Sequence, residues 1–328
     1  MVPHDPGTDA EPARSQAPRG VVTVVGGAVN DHIYRVDHVP AAGPPARGSF
    51  VEHPGGKGLN RAVAAARLGL RARLISAIGD DDAGRRVLAY LRAEQVDTGQ
   101  VRIVRGVMTA VTAVIVTGAG VATAVGCRDD RIVPDVEHIR DALADAHAVL
   151  LTFEQPISVI ERVLAAVRSL RPAPVLIVHA APPVDAPGDL LRHLDTIDYL
   201  IGAPWELGDL AGMRDADFDS SVAPWLRAHG VRSVCAVEHL ACRVRSDTVN
   251  LDLPANPAAQ HGDSPGGGAA FGAALAYRLL LTKCPASGPD YYWATAAMAS
   301  TSVAGPVPEG MPTAATIDEI VARHPAPR

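Results

Sequence analysis

The chain alternates short β-branched runs with longer segments whose apolar residues recur at helical spacing. The first run, residues 21–25, ends at Gly26-Gly27, which predicts a buried strand with a tight turn at its C-terminal end. Asp31 lies just beyond that turn. Residues 33–36 and 49–52 read as short strands separated by a Pro/Gly-rich stretch, and they predict a small flap over the main sheet. Gly55-Gly56-Lys57-Gly58-Leu59-Asn60 then opens an alanine-rich helix that ends at Gly69. A strand at 73–78 leads to Gly79-Asp80-Asp81-Asp82, whose carboxylates suit the first turn of a helix running to about Glu94. Residues 101–104 and 109–117 have strand composition, and Gly118-Ala119-Gly120 predicts a hairpin into 121–125.

From residue 136 the pattern becomes regular. Helix 136–144, strand 148–153, helix 157–168 and strand 175–179 follow one another. A short helix near Asp189, strand 199–201, helix 221–228 and strand 233–237 continue the alternation. Such alternation predicts a mainly parallel sheet covered on both faces, an α/β fold. Helices at 269–281, 291–302 and 317–322 close the chain; Tyr291-Tyr292-Trp293 reads as core packing or a partner surface. The simplest organisation is a disordered tail over residues 1–19, rich in Pro, Ala, Asp and Arg, followed by one domain from residue 20 to 328.

Composition narrows the function classes. A net charge of −6 argues against a nucleic-acid backbone as the main partner, and 4% aromatic residues argue against stacking platforms for single strands. No apolar run approaches the roughly 20 residues of a membrane helix. The four cysteines form no C-x-x-C pair, so we expect reduced thiols in a cytoplasmic protein, with Cys235 in a buried strand. No H-x-x-x-H pair falls on a clear helix, so no metal site is expected.

The strongest candidate chemistry lies late in the chain, at Gly262-Asp263-Ser264-Pro265-Gly266-Gly267-Gly268-Ala269. Three glycines at a helix start let backbone N–H groups approach an anion without Cβ atoms in the way. Gly266, Gly267 and Gly268 therefore read as a cradle for phosphate or for developing negative charge, or else as a tight loop before a buried helix.

Taken together, the order of elements and several motifs resemble the ribokinase (PfkB) family of carbohydrate and nucleoside kinases over roughly residues 20–323. Gly55 to Ala64 matches the family's Gly-Gly-Lys-Gly-x-Asn-x-Ala-x-Ala, and Val24-Val25-Gly26 with Asp31, the run 78–84, and 150–156 with Glu154 are also similar. The resemblance implies a three-layer α/β core with a small β-sheet lid drawn from about 32–53 and 108–126. It implies a sugar or nucleoside site formed by Asp31, Gly55, Gly56, Lys57, Asn60 and Glu154. It also implies ATP and magnesium near Glu206 if the protein is active, and a possible homodimer through the lids. On the residues alone, Asp31 and Glu154 are equally compatible with capping, and Lys57 with a solvated loop.

Three departures fall on phosphoryl transfer. The family's Asp-Thr-x-Gly-Ala-Gly-Asp ends here in Ala269, so the carboxylate that takes the proton from the attacking hydroxyl is absent. Asp263 corresponds to a family position associated with cation binding; it and His261 are the nearest titratable side chains in sequence. The family's Asn-x-x-Glu is Ala203-Pro204-Trp205-Glu206, and its Thr-x-Gly turn is Val237-Glu238-His239. The expected function is a kinase homologue impaired or inactive in ATP-dependent transfer that retains a sugar- or nucleoside-type site, with ATP and magnesium if active or else no cofactor. An active kinase with a non-standard base, such as Asp263 or His261, is the first alternative. An enzyme that uses the cradle as an oxyanion hole in other chemistry is the second.

Overall fold

Alternating burial divides each central strand between two cores. Val22 and Val24 pack into one apolar cluster and Val25 into the other; Leu150 and Leu151 divide the same way, as do Ile177 and Val178. A strand apolar on both sides needs helices over both faces. The computed structural model describes residues 20–43, 45–117, 122–184, 187–260, 264–301 and 306–326. Asp263 and His261 lie outside the described residues, as does the predicted turn at 118–120.

The first half of the chain runs β1 (Val21–Val25), β2 (Val29–Val36), β3 (Gly48–Gly55), α1 (Lys57–Arg67), β4 (Arg71–Gly79), α2 (Asp82–Ala93), β5 (Val101–Val104), β6 (Val111–Thr117) and β7 (Ala122–Cys127). Next come α3 (Ile139–Leu143), β8 (Ala148–Thr152), α4 (Ile157–Ser169), β9 (Val175–His179), α5 (Gly188–Leu191), β10 (Tyr199–Gly202), α6 (Pro204–Leu210) and α7 (Ala223–Ala228). The chain ends with β11 (Ser233–Glu238), β12 (Ala241–Ser246), β13 (Asn250–Leu253), α8 (Gly267–Thr282), α9 (Gly288–Ser300) and α10 (Ala314–Arg323).

Among the described residues the large sheet has the order β13-β12-β11-β10-β9-β8-β1-β4-β5, parallel except for its last two pairings, β11 with β12 and β12 with β13. One face carries α1, α2, α8, α9 and α10, and the other carries α3 to α7. This is the expected three-layer core. Tyr291, Tyr292 and Trp293 are buried within it rather than forming a partner surface. Cys235 and Cys242 are buried and Cys127 and Cys284 exposed, all as free thiols. Among the described residues no helix is long and apolar enough to cross a membrane.

A second sheet, β3-β2-β6-β7, forms the lid. Its strands outrun the sequence expectation because β2 is paired on both sides, antiparallel to β3 and parallel to β6. Asp31, just beyond the turn after β1, accordingly sits inside β2, opposite His53 and Thr112. Other expectations are corrected. The helix at 136–144 shrinks to α3, because the Asp135 carboxylate accepts the Glu137 N–H and holds a local turn instead. The helix at 221–228 begins only at Ala223, after a turn over Phe218–Val222 capped by Asp217. The hairpin β12–β13 and helix α6 were missed. The alternation of buried Cys242 and Val244, and Pro204 at the start of α6, were their signals.

Candidate active site

A parallel sheet brings the C-terminal ends of its strands to one edge. Here that edge carries Gly26-Gly27 after β1, Glu154 after β8, His179 at the end of β9, Ala203 after β10 and Glu238 at the end of β11. Strand β1 lies between β4 and β8, where the order of the chain reverses, and open α/β sheets bind ligands at such a point. A cavity of about 420 Å³ at the other end of the strands, lined by Arg71, Arg73, Asp97 and Asp145, shares no residue with this edge.

Glu154 organises the lid-side half. Its carboxylate accepts the Gly27 N–H at 2.7 Å, the Lys57 N–H at 2.9 Å, the Gly58 N–H at 3.1 Å and the Thr152 hydroxyl at 3.1 Å. The first amides of α1 have no partner within their helix, so a carboxylate there is favoured by both hydrogen bonding and the helix dipole. Glu154 thus ties the turn after β1 to the start of α1. The capping role is the one the geometry displays. Gly56, with φ of +104°, supplies the left-handed turn into α1.

Asp31 reaches this loop from the lid. A Cβ placed on Gly55 would fall 1.9 Å from Asp31 Oδ2, so only glycine allows the carboxylate to lie there. Burial pushes the Asp31 carboxyl up to about 6; the nearby Glu154 charge adds to this, while the Thr112 hydroxyl, His53 and Lys57 oppose it. Asn60 is buried on α1, and its Oδ1 has no hydrogen-bond partner among the described residues. A half-buried carboxylate and an unpaired amide oxygen are the fixed polar groups that a hydroxyl-rich ligand needs.

The cradle half is assembled from α1, β9, α6 and α8. Arg61 lies one turn after Lys57 and is buried, only 3% exposed. Its guanidinium donates to the Lys57 carbonyl at 2.9 Å and to His179 Nδ1. Burial lowers the Arg61 pKa to about 10, against the raising effect of the Glu154 and Glu206 charges. Because arginine only donates, His179 Nδ1 accepts, and the ring proton is assigned to Nε2, which lies 3.7 Å from Glu206 Oε2. Glu206 Oε2 in turn accepts the Ala203 N–H at 2.8 Å and caps α6. Burial raises the Glu206 carboxyl; the Ala203 amide, Lys57 and Arg61 oppose the rise.

The cradle glycines differ from one another. Gly266 and Gly267 donate to the Ser264 hydroxyl and carbonyl, whereas the Gly268 N–H has no partner among the described residues. A Cβ on Gly268 would fall 2.8 Å from His179 Cε1, so the start of α8 rests against that ring. Ala269 follows, buried and without a titratable group.

Further along the same edge, His239 and Leu240 adopt positive φ in the turn from β11 to β12. A cavity of about 360 Å³ beside this turn is lined by Pro204, Glu238, Arg243 and Asp252. Arg243 is paired with Asp219 at 2.9 Å. The described residues, which do not include Asp263, do not form a magnesium site of the implied kind. Glu206 is committed to its cap and Ala203 offers no ligand. Among the described residues the cluster able to hold a cation is Asp135, Glu137 and His138, exposed before α3.

The structure therefore brings Asp31, Gly55, Gly56, Lys57, Asn60, Glu154, Glu206 and Gly266 to Gly268 to one edge. It adds Arg61 and His179, which motif reading passed over. Their only sequence signal was an arginine in an otherwise alanine-rich helix, four residues after a lysine.

Residues 21–300 match the family described as pfkB family carbohydrate kinase. Haemophilus influenzae ribokinase is 29% identical over 208 residues, 62% of this chain and 66% of that enzyme. Bacillus subtilis ribokinase is 42% identical over 78 residues, 24% of this chain and 27% of its own length. The chain thus aligns with less than two thirds of the length of either curated relative. Among solved structures, Arabidopsis thaliana ribokinase complexed with ribose and ATP superposes with a TM-score of 0.78 at 23% identity, covering 92% of this chain and 99% of that one. The Methanocaldococcus jannaschii nucleoside kinase gives 0.77 at 14% identity, covering 94% and 100%. At these identities the superpositions establish a shared fold.

Proposed function

Because the chain belongs to the pfkB family of carbohydrate kinases, we propose that it binds a sugar- or nucleoside-type polyol between lid and core. We propose too that it has lost most or all ATP-dependent phosphoryl transfer. The observation that carries this reading is Ala269, buried at the start of α8 beside the cradle, where the resemblance implies a general base. Loss of a general base costs about 10²–10⁴-fold in rate. His179, the described histidine nearest the cradle, does not replace it, since its Nδ1 lone pair is occupied by Arg61 and its Nε2 carries the proton. Glu238 adds charge where polyphosphate would approach, which is unfavourable without an intervening cation. The polyol half is supported by Asp31 over Gly55 and by the unpaired amide oxygen of Asn60.

The test is phosphorus NMR with magnesium ATP and a panel of pentoses, hexoses, hexose phosphates and nucleosides, run on the native protein and on Ala269→Asp. We expect native turnover at least a hundredfold below that of the variant, and the substrate used by the variant identifies the polyol class. Turnover by the native protein at or above the level of the variant overturns the reading and moves the search to Asp263 and His261.

A further inference from the structure

Two charged side chains are buried among the described residues, and they are treated differently. Asp290, 3% exposed... lies 2.8 Å from Arg278 and also accepts from Ser287. Arg61, equally buried, has no carboxylate oxygen within 4.0 Å among the described residues. Its two acceptors among the described residues are neutral, the Lys57 carbonyl and the His179 ring. A guanidinium has five N–H donors, so three are left over. The Glu154 and Glu206 charges act on it only from a distance. A buried cation with no carboxylate in contact is costly, and the cost is offset when an anion arrives.

We propose that Arg61 and the Gly268 N–H form an oxyanion site that holds a phosphate or carboxylate group of the ligand without a divalent metal. Both groups lie against His179: Arg61 Nη2 contacts its Nδ1, and the adjacent Cε1 is the atom that a Cβ on Gly268 would strike. The start of a long helix with an unpaired amide is favourable for an oxyanion, and planar guanidinium forks match carboxylate and phosphate oxygens. The Lys57 ammonium, close enough to act on both Asp31 and Glu206, adds positive charge between the polyol end and this end. Glu206 is the carboxylate that faces the site; it is bound to the Ala203 amide and has His179 between it and the guanidinium. Where the resemblance implies a catalytic carboxylate and a metal, the charge at the centre is a fixed cation. For the sugar half of the ligand this inference rests on the polyol reading above, and it narrows that ligand from a neutral sugar to an anionic one.

Calorimetry on the full chain in EDTA, at constant ionic strength set with chloride, tests it with inorganic phosphate as the first probe. We expect saturable phosphate binding that added magnesium changes less than twofold. Arg61→Gln should weaken it at least tenfold, and Arg61→Lys should restore part of the affinity. Gly268→Ala, which keeps the arginine, gives an independent loss should Arg61→Gln fail to fold. No phosphate binding by the native protein, or unchanged binding by a folded Arg61→Gln variant, overturns the site. Further arms compare ribose with ribose 5-phosphate, and ADP in EDTA. Arg61-dependent binding of ribose 5-phosphate over ribose assigns the oxyanion to the sugar, and Arg61-dependent binding of ADP assigns it to a nucleotide. Asp31→Asn separates the two readings. If it weakens both sugars while Arg61→Gln weakens neither, the polyol site stands and the oxyanion site falls. If Arg61→Gln abolishes phosphate binding while Asp31→Asn changes no sugar, the reverse holds.

Discussion

At the lid end of the site, polar groups are either fully paired or arranged around a small space; at the cradle end, a buried cation and a free amide are left over. Glu154 satisfies three backbone amides and a hydroxyl, and Asp31 fits over a glycine. Arg61 and Gly268 have donors without acceptors among the described residues. The comparison teaches that a loop of matching sequence and a centre of altered chemistry coexist because separate contacts hold them. The loop is pinned from behind by Glu154, through contacts that involve none of Ala203, Glu238 and Ala269.

The largest expected effect comes from removing that pin. Glu154→Ala leaves the amides of Gly27, Lys57 and Gly58 without acceptors, which should cost about 3 kcal/mol of stability in urea unfolding. Polyol binding should be lost with it. A variant as stable as the native protein would show that water replaces the carboxylate and that the two ends are not separately held.

Asp31→Asn sharpens the lid end through pH. The folded carboxyl titrates near 6 against an ordinary 3.8, so the folded state holds the proton more tightly. The stability contributed by that proton is full below about pH 4 and is lost as pH rises through about 6. The asparagine variant should therefore be more stable than the native protein by roughly 2 kcal/mol at pH 8, with the advantage gone near pH 4. Thermal unfolding at both pH values checks this. Native polyol affinity should fall below pH 6, as the accepting carboxylate is protonated; a flat profile argues against Asp31 as the acceptor.

The smallest effect is expected at the surface. Arg86 on α2 pairs with Glu52 on β3 at 2.6 Å, with both side chains largely solvated. Arg86→Ala should change stability by less than about 0.5 kcal/mol and leave ligand binding unchanged. A larger loss of binding would mean that this contact sets the lid position.

The parts of the site that were legible in the sequence are those carried by one contiguous segment. Gly55 to Asn60 carries its loop and helix-start signals in its own glycines, and Ala269 is visible as a letter without a titratable group. The hairpin β12–β13 and helix α6 were legible in principle, through the alternation at Cys242 and Val244 and through Pro204, but on sequence the first is assigned no element and the second is a motif position only. Glu154 was named from the sequence with two roles open, and its hydrogen bonds to residues about a hundred positions away displayed the capping one.

By itself the sequence determined the α/β alternation, the glycine-rich loop opening α1, and which chemical groups are present or missing at the cradle. These follow from local periodicity and from side-chain identity, which need no partner. Only the tertiary structure decided what surrounds each charge. Arg61 reads as one more helical arginine until β9, α6 and α8 close around it and remove its water. Its burial without a carboxylate in contact is a property of those packed neighbours, because the cost of a charge depends on the dielectric and the counter-ions around it and not on the residue alone.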